Sequence, residues 1–167
     1  MSIALERPAA TKPIPAAPDL PSPTQLAINL LGGARVLRRQ VASNEDAHDL
    51  VSHGIPAEAM LRLFATVSAI PLDLLREAIG VSERSFARRK AAPKALLPAG
   101  ESERLWRFAE ILAHATRVFG TQTEAEQWLA RPVTALDRRR PIDLLTTHPG
   151  ARLVSDYLTR IEHGVYA

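Results

Sequence analysis

Large apolar residues recur at steps of three and four along most of the chain, and this spacing limits the fold more than any other property of the sequence. Such spacing places apolar side chains on one face of an α-helix. The longest run spans residues 102–119, and its predicted buried face consists of Leu105, Phe108, Leu112, Ala115 and Phe119. No run alternates apolar and polar residues as a half-buried strand would. The pattern therefore predicts an all-α protein.

Prolines and glycines divide this pattern into separate helices. A proline suits the first turn of a helix, because that turn leaves backbone amides unbonded and proline has none. Three prolines stand at such places: Pro56, Pro71 and Pro149. A glycine suits the end of a helix, where the backbone often turns left-handed. Three glycines are expected to end helices: Gly80, Gly120 and Gly164.

Two helices are expected after Gly120. The first would begin with Thr123 as its N-cap, with Glu126 three residues on completing a capping box and Trp128 and Leu129 packing inward. The second would begin near Pro149. Its predicted buried face consists of Leu153, Val154, Tyr157, Leu158 and Ile161.

The N-terminal part is rich in proline. Six of the thirteen prolines fall between Pro8 and Pro23, where few large apolar residues are available to pack. Residues 1–24 are therefore predicted to be a disordered tail. Residues 25–40 are predicted to form a short helix, although the Gly32–Gly33 pair disfavours it.

Enzyme chemistry finds little support in the composition. The absence of cysteine excludes disulfides, thiolate metal sites and cysteine nucleophiles, and it fits a reducing compartment. No serine lies in a nucleophile motif. The five histidines show no metal-ligand spacing: His48, His53, His114, His148 and His163. With no apolar run of the ~20 residues that a membrane span needs and no signal peptide, we expect a cytoplasmic protein without catalytic activity, metal or cofactor.

The net charge of +3 is concentrated in one stretch. Residues 76–100 hold two acidic groups, Glu77 and Glu83. They hold six basic groups: Arg76, Arg84, Arg88, Arg89, Lys90 and Lys94. A localised basic stretch is typical of a surface that contacts a polyanion.

The same stretch predicts a helix-turn-helix in residues 72–91, LDLLREAIGVSERSFARRKA. Gly80 suits the tight turn, and Ser82 suits the N-cap of the second helix. The residues expected to contact DNA from that second helix are Ser82, Glu83, Arg84, Ser85, Arg88, Arg89 and Lys90. Arg76 departs from the motif, which usually has a small residue there. A plain helical hairpin with a basic surface is the alternative.

The C-terminal part resembles the toxin-binding domain of Xre-type antitoxins, which are the partners of RES-domain toxins in type II toxin–antitoxin systems. Four segments carry the resemblance: AEQWL (125–129), RRPIDLL (139–145), PGARLV (149–154) and RIEHGVYA (160–167). In that family a helix-turn-helix domain precedes the toxin-binding domain, as the pattern from Ile55 to Phe119 does here.

The resemblance implies both partners and sites. RES-domain toxins deplete NAD or modify proteins with ADP-ribose, and the antitoxin blocks the toxin's active-site cleft with its C-terminal region. The helix-turn-helix represses the antitoxin's own operon by binding operator DNA. The residues expected to meet the toxin are Arg152, Asp156, Arg160, Glu162, His163, Gly164 and Tyr166. A packing role for Tyr166 on the fold is the alternative.

The resulting domain prediction has three parts. Residues 1–50 form the disordered Pro/Ala-rich tail and a short helix, 51–120 the helix-turn-helix domain, and 121–167 the small helical toxin-binding domain. A homodimer is expected, because helix-turn-helix proteins usually bind DNA as symmetric dimers. Two alternatives remain: a repressor without a toxin, whose C-terminal helices only dimerise, and a helical adaptor that does not contact DNA.

Overall fold

The structure is a computed structural model, and it describes residues 21–164. Ten α-helices and one 3₁₀ turn follow one another within this range. They are α1 (Pro23–Leu30), α2 (Gly33–Leu37), α3 (Asn44–His53), α4 (Ala57–Thr66), α5 (Leu72–Ile79), α6 (Glu83–Ala91), α7 (Ala99–Phe119), α8 (Gln122–Leu129), the 3₁₀ turn Thr134–Leu136, α9 (Pro141–Leu144) and α10 (His148–Glu162). Residues 21–164 contain no strand beyond two isolated bridges, and the all-α prediction is confirmed.

Helix α7 is the centre of the fold. It packs against α1, α3 and α5 as well as against α8 and α10. Four of the five residues of its predicted apolar face are buried, since Leu105, Leu112 and Ala115 are fully buried and Phe108 nearly so, whereas Phe119 is only partly buried. One continuous apolar core surrounds it, with buried residues from every described helix except α6. The helix-turn-helix part and the C-terminal part therefore share one core.

The N-terminal part differs from the prediction. Gly32 adopts a φ of 97° and separates α1 from α2, so that residues 25–40 form two helices instead of one. Helix α1 already begins at Pro23, inside the predicted tail, because Ser22 caps it and Ala27 and Ile28 pack into the core. Residues 1–20 of that tail lie outside the described residues.

Helix α3 was missed, although its start has a strong local signal. The Ser43 side chain accepts a hydrogen bond from the Asp46 amide, and the Asp46 carboxylate accepts one from the Ser43 amide. This reciprocal capping box begins the helix. The backbone bond from Ala42 and the other bonds around Ser43 hold the pKa of Asp46 below its usual value.

Two expectations in the C-terminal part were wrong. The N-cap of α8 is Thr121, whose hydroxyl accepts from the Glu124 amide at 3.2 Å, and not Thr123. Leu153 was expected to be buried but is 56 % exposed, because it lies on the flank of α10 away from the buried Val154 and Leu158. Tyr157 and Ile161 are only partly buried.

None of the described helices is both long enough and apolar enough to span a membrane.

Candidate DNA-binding and partner-binding surfaces

The turn between α5 and α6 is built around Gly80. Gly80 has a φ of 70° and ends α5, and a Cβ at this position would lie 2.7 Å from Nε of Arg104. That Nε atom donates a hydrogen bond of 2.7 Å to the Ile79 carbonyl oxygen, which α5 leaves without a helical partner. Glycine is required both for the left-handed backbone and for the close approach of Arg104.

Helix α6 is placed by one cap and one aromatic contact. The Ser82 hydroxyl accepts a hydrogen bond from the Ser85 amide at 3.1 Å, as the sequence predicted. The ring of Phe86 stacks on that of Phe64 in α4, with centroids 5.1 Å apart. No residue of α6 is fully buried. The helix therefore lies on the surface, where its polar face is accessible.

Six of the seven residues predicted to contact DNA lie on this accessible surface. Ser85 is half-buried, and the exposed members are Ser82, Glu83, Arg84, Arg88 and Lys90. Arg89 differs, since its side chain is only 11 % exposed and donates to the Glu101 carboxylate in α7 at 3.3 Å. Arg89 therefore holds α6 against α7.

Arg76, the residue that departs from the motif, lies beside the turn. Its Nη1 atom is 3.9 Å from the Glu83 carboxylate of α6, and its side chain is 21 % exposed. Arg76 thus lies beside the first residue of α6. In the described part of the chain, the ion pairs around α6 involve Arg76 and Arg89, while Arg84 and Arg88 have no acidic partner.

Helix α10 carries four of the seven residues predicted to meet a toxin, and two more follow directly after it. Arg152 and Asp156 are exposed and form a loose ion pair at 4.0 Å. His163 and Gly164 are exposed directly after the helix. Tyr166 lies outside the described residues.

Glu162 is tied to α7. Its carboxylate accepts a hydrogen bond of 3.0 Å from Nε2 of His114 and one of 3.4 Å from Arg117. Burial alone would raise the pKa of Glu162, but the bonds and charges of His114 and Arg117 hold it below its usual value. Glu162 therefore anchors the end of α10, which limits its reach toward a partner.

On one flank of α10, Tyr157 is the last of three aromatic side chains that pack in a row, all of which were predicted to lie in the core. Trp128 of α8 lies between Phe119 and Tyr157, with ring centroids 5.2 Å and 6.2 Å away. The Arg160 guanidinium lies 5.6 Å from the Tyr157 ring centroid. Exposed Leu153 lies one turn before Tyr157 on the same flank. Partly exposed aromatics beside an arginine are typical of protein-binding surfaces.

The other flank of α10 borders a groove against α7. The groove has a volume of about 430 Å³, and Arg152 and Asp156 line it together with Glu110 and His148. Burial raises the pKa of Glu110, which a hydrogen bond with Trp106 partly offsets. Both flanks thus offer contacts that the sequence analysis did not identify. Residues 21–164 contain no group of three acidic or histidine side chains close enough to hold a metal ion.

A buried carboxylate joins α8 to the connection between α4 and α5. Glu126 of α8 is 1 % exposed, and its Oε2 atom accepts bonds from the amides of Ser68 and Ala69, at 2.9 Å and 2.7 Å. These amides belong to the connection between α4 and α5. The spacing of Thr123 and Glu126 predicts a capping box and gives no sign of the contacts that Glu126 makes across the structure.

Comparison with known proteins identifies both parts. Residues 46–110 match the antitoxin Xre-like helix-turn-helix domain, and residues 114–164 match the antitoxin Xre/MbcA/ParS C-terminal toxin-binding domain. The first match covers α3 to the middle of α7, and the second covers the end of α7 to α10. Helices α1 and α2 lie outside both.

Three relatives support these matches. The chain is 39 % identical over 94 residues to an antitoxin Xre of Photorhabdus laumondii, which covers 56 % of this chain and 62 % of that protein, less than two thirds of its length. It is 36 % identical over 101 residues to an antitoxin Xre of Yersinia enterocolitica (60 % and 68 %). It is 26 % identical over 135 residues to the Prs ADP-ribosylating antitoxin of a Sphingobium species (75 % and 84 %). The chain belongs to the Xre family of antitoxins, in which a helix-turn-helix domain is followed by a toxin-binding domain.

Proposed function

We propose that this antitoxin binds a RES-domain, NAD-consuming toxin with α10 and the residues after it and blocks the toxin's active site. The observation that carries the proposal is the match of residues 114–164 to a toxin-binding domain, ending in a helix whose outer face is charged and exposed. The name of the Sphingobium relative refers to ADP-ribosylation, which is chemistry that consumes NAD. Its name therefore supports a toxin of this class.

The contacts proposed for the toxin are those that the structure leaves accessible. Arg152, Asp156 and Arg160 are exposed on α10, and His163 and Gly164 follow it. Glu162 is a weaker candidate, because it is already bonded to His114 and Arg117. Tyr166 stays in the proposal as a residue of the following segment, where an aromatic side chain gives a large contact area at low entropic cost.

We further propose that α6 binds operator DNA of the antitoxin's own operon and represses it, and that the protein acts as a homodimer. Arg84 and Arg88 are exposed without acidic partners among the described residues, so both are available to phosphates or base edges. The N-terminus of α6 adds a positive end of the helix dipole. Arg89 supports this surface by its ion pair with Glu101 of α7.

A pull-down from the native host tests the toxin part. The full chain should retain a stoichiometric partner that mass spectrometry identifies as a RES-domain protein. That partner should consume NAD when purified alone, and added full chain should stop the reaction, whereas a chain ending at residue 159 should inhibit far less. A partner without NAD-consuming activity, or equal inhibition by both chains, would contradict the proposal.

Protection of the promoter region from nuclease tests the DNA part. Wild-type protein should protect a symmetric pair of half-sites upstream of its own gene, as a dimer requires. An absence of protection at every concentration that saturates the toxin would leave an antitoxin without autoregulation.

A further inference from the structure

The bonds of Glu126 cross from one family domain to the other. Glu126 lies within the part that matches the toxin-binding domain, whereas Ser68 and Ala69 lie within the part that matches the helix-turn-helix domain. Its Oε1 atom accepts a further bond of 2.7 Å from the Gln122 side chain, which also donates to the Thr66 carbonyl oxygen at 3.3 Å. One carboxylate and one amide from α8 thus hold the connection between α4 and α5.

Within residues 21–164, no other side chain accepts hydrogen bonds from the amides of that connection. Among the described residues, Glu126 is the acceptor for both the Ser68 and the Ala69 amide. Ser68 is exposed, but Ala69 is half-buried and its neighbour Ile70 is buried, so an unpaired Ala69 amide would be poorly compensated by water. A bond to a charged acceptor is about twice as strong as a neutral one. Glu126 therefore fixes the backbone immediately before α5.

Helix α5 is consequently held near both ends by residues from outside the helix-turn-helix hairpin. Arg104 binds the Ile79 carbonyl at its C-terminal end, and Glu126 binds the connection before its N-terminal end. Helix α9 also packs against α5. Gly80 joins α5 to α6 by a tight turn, so α5 contributes to the position of α6 together with the contacts of α6 with α4 and α7.

We propose that Glu126 is a positioning residue for DNA binding, so that the toxin-binding part of the chain sets the geometry with which α6 meets DNA. This inference rests on the proposed DNA-binding function. It assigns to the C-terminal part a role in DNA binding that requires no contact between that part and the DNA. Glu126 acts through the backbone of Ser68 and Ala69 and thereby through α5.

Full-length variants separate this role from simple loss of structure. Glu126→Ala removes the acceptor, Glu126→Gln keeps one acceptor oxygen without the charge, and Gln122→Ala removes the supporting amide. Glu124→Gln is the matched control. Glu124 is an exposed glutamate of the same helix, and its carboxylate accepts a hydrogen bond from the Thr121 hydroxyl. Each variant is assayed for binding to a DNA fragment carrying the promoter of its own gene, for binding to the toxin, and for hydrogen exchange at Ser68 and Ala69.

The expected result is graded. Glu126→Ala should bind the promoter about tenfold more weakly, as expected when a buried bond to a charged group is lost. Glu126→Gln and Gln122→Ala should show smaller losses, and Glu124→Gln none. Exchange at Ser68 and Ala69 should accelerate in the same order. Affinity for the toxin should stay within about twofold, because Glu126 bonds to Gln122, Ser68 and Ala69, whereas the proposed toxin contacts lie on α10 and after it.

Two results would overturn the inference. The first is wild-type promoter affinity in Glu126→Ala with accelerated exchange at Ser68 and Ala69. The second is a parallel loss of promoter and toxin binding in Glu126→Gln and Gln122→Ala, in proportion to the unfolded fraction, because that is the signature of a merely structural role. If the wild type itself fails to bind the promoter while it binds the toxin, the DNA part of the proposed function falls, and this inference falls with it.

Discussion

Helices α6 and α10 present the two proposed binding surfaces, and they differ in how their charges are arranged. Arg84, Arg88 and Lys90 of α6 have no acidic partner in the described part of the chain, and no residue of α6 is fully buried. On α10, Arg152 pairs with Asp156, and Glu162 pairs with residues of α7. The helix also buries Val154 and Leu158.

This difference in charge arrangement fits the different partners proposed for the two helices. Binding to DNA gains free energy by releasing counterions from phosphates, which requires cations that are not already neutralised. Binding to a protein gains most from buried apolar and aromatic groups, with charges that set orientation. Leu153, Tyr157 and Trp128 provide such groups beside α10. The two surfaces should therefore respond differently to substitution and to salt.

The largest effect on stability is expected from the aromatic contact that attaches α6 to α4. Phe86→Ala removes the stack on Phe64 and should lower the free energy of unfolding by about 3 kcal/mol, the low end for loss of a packed aromatic side chain. Denaturant unfolding measures this effect. Tyr157→Ala is the corresponding change on α10. An equal or larger loss there would show that α10 depends on its aromatic contact as much as α6 does.

Arg89→Ala should lower the free energy of unfolding by about 2 kcal/mol, because it leaves the carboxylate of Glu101, which is 15 % exposed, without its partner. Arg88→Ala is the matched control on the same helix and should change stability by less than about 0.5 kcal/mol. If the two variants unfold at the same denaturant concentration, Arg89 does not support the helix.

Arg84→Ala and Arg88→Ala should each weaken promoter binding about tenfold and, where the arginine meets a phosphate, reduce the salt dependence by about one ion. Binding to the toxin should not change. Arg152→Ala should show the reverse, with weaker toxin binding and unchanged promoter binding. Titrations at several salt concentrations measure both. A variant that weakens promoter binding and toxin binding equally would contradict the proposal that α6 and α10 bind different partners.

The smallest effect is expected from pH. Because the folded pKa of Glu162 is lowered, its ionised form stabilises the fold above the unfolded value of 4.5, and this contribution disappears as the pH falls through the lowered folded pKa. Glu162→Gln should therefore cost about 0.5 kcal/mol at neutral pH, in the range of a partly exposed ion pair. It should cost nothing at strongly acidic pH.

The pKa of Glu110 is shifted in the opposite direction to that of Glu162. Its pKa is raised by burial, so its ionisation opposes folding at neutral pH and this cost is relieved as the pH falls through the raised value. Glu110→Gln should be neutral or stabilising at pH 7. Unfolding curves of both variants between pH 3 and pH 7 would distinguish the two carboxyl groups, and a shared sign would contradict the assigned causes.

The sequence predicted best what depends on near neighbours. Gly80, Ser82 and Phe86 lie within seven positions, and the turn, the cap and the apolar anchor each have a local pattern. The capping box at Ser43 was equally local, and it was overlooked. Thr123 and Glu126 show the limit of such patterns, because their spacing fits a capping box that the helix does not use.

Long-range pairings were not predictable from one sequence. The partners of Glu126 lie 57 and 58 positions away, and Arg104 reaches a carbonyl 25 positions away. No periodicity reports which carboxylate meets which amide at such separations. Leu153 was misplaced for a related reason, since apolar type predicts burial only where a neighbouring helix covers that flank.

The continuous core around α7 has a consequence for building hybrid antitoxins. The two family matches end and begin within α7, at residues 110 and 114, so a junction placed there would cut the helix on which both parts pack. A donor C-terminal part would have to bring its own equivalents of Glu126 and α9 to fit the recipient's α4–α5 connection. Exchange of toxin specificity between relatives should therefore succeed by replacing the outer face of α10 and the residues after it, with α7 to α9 left intact.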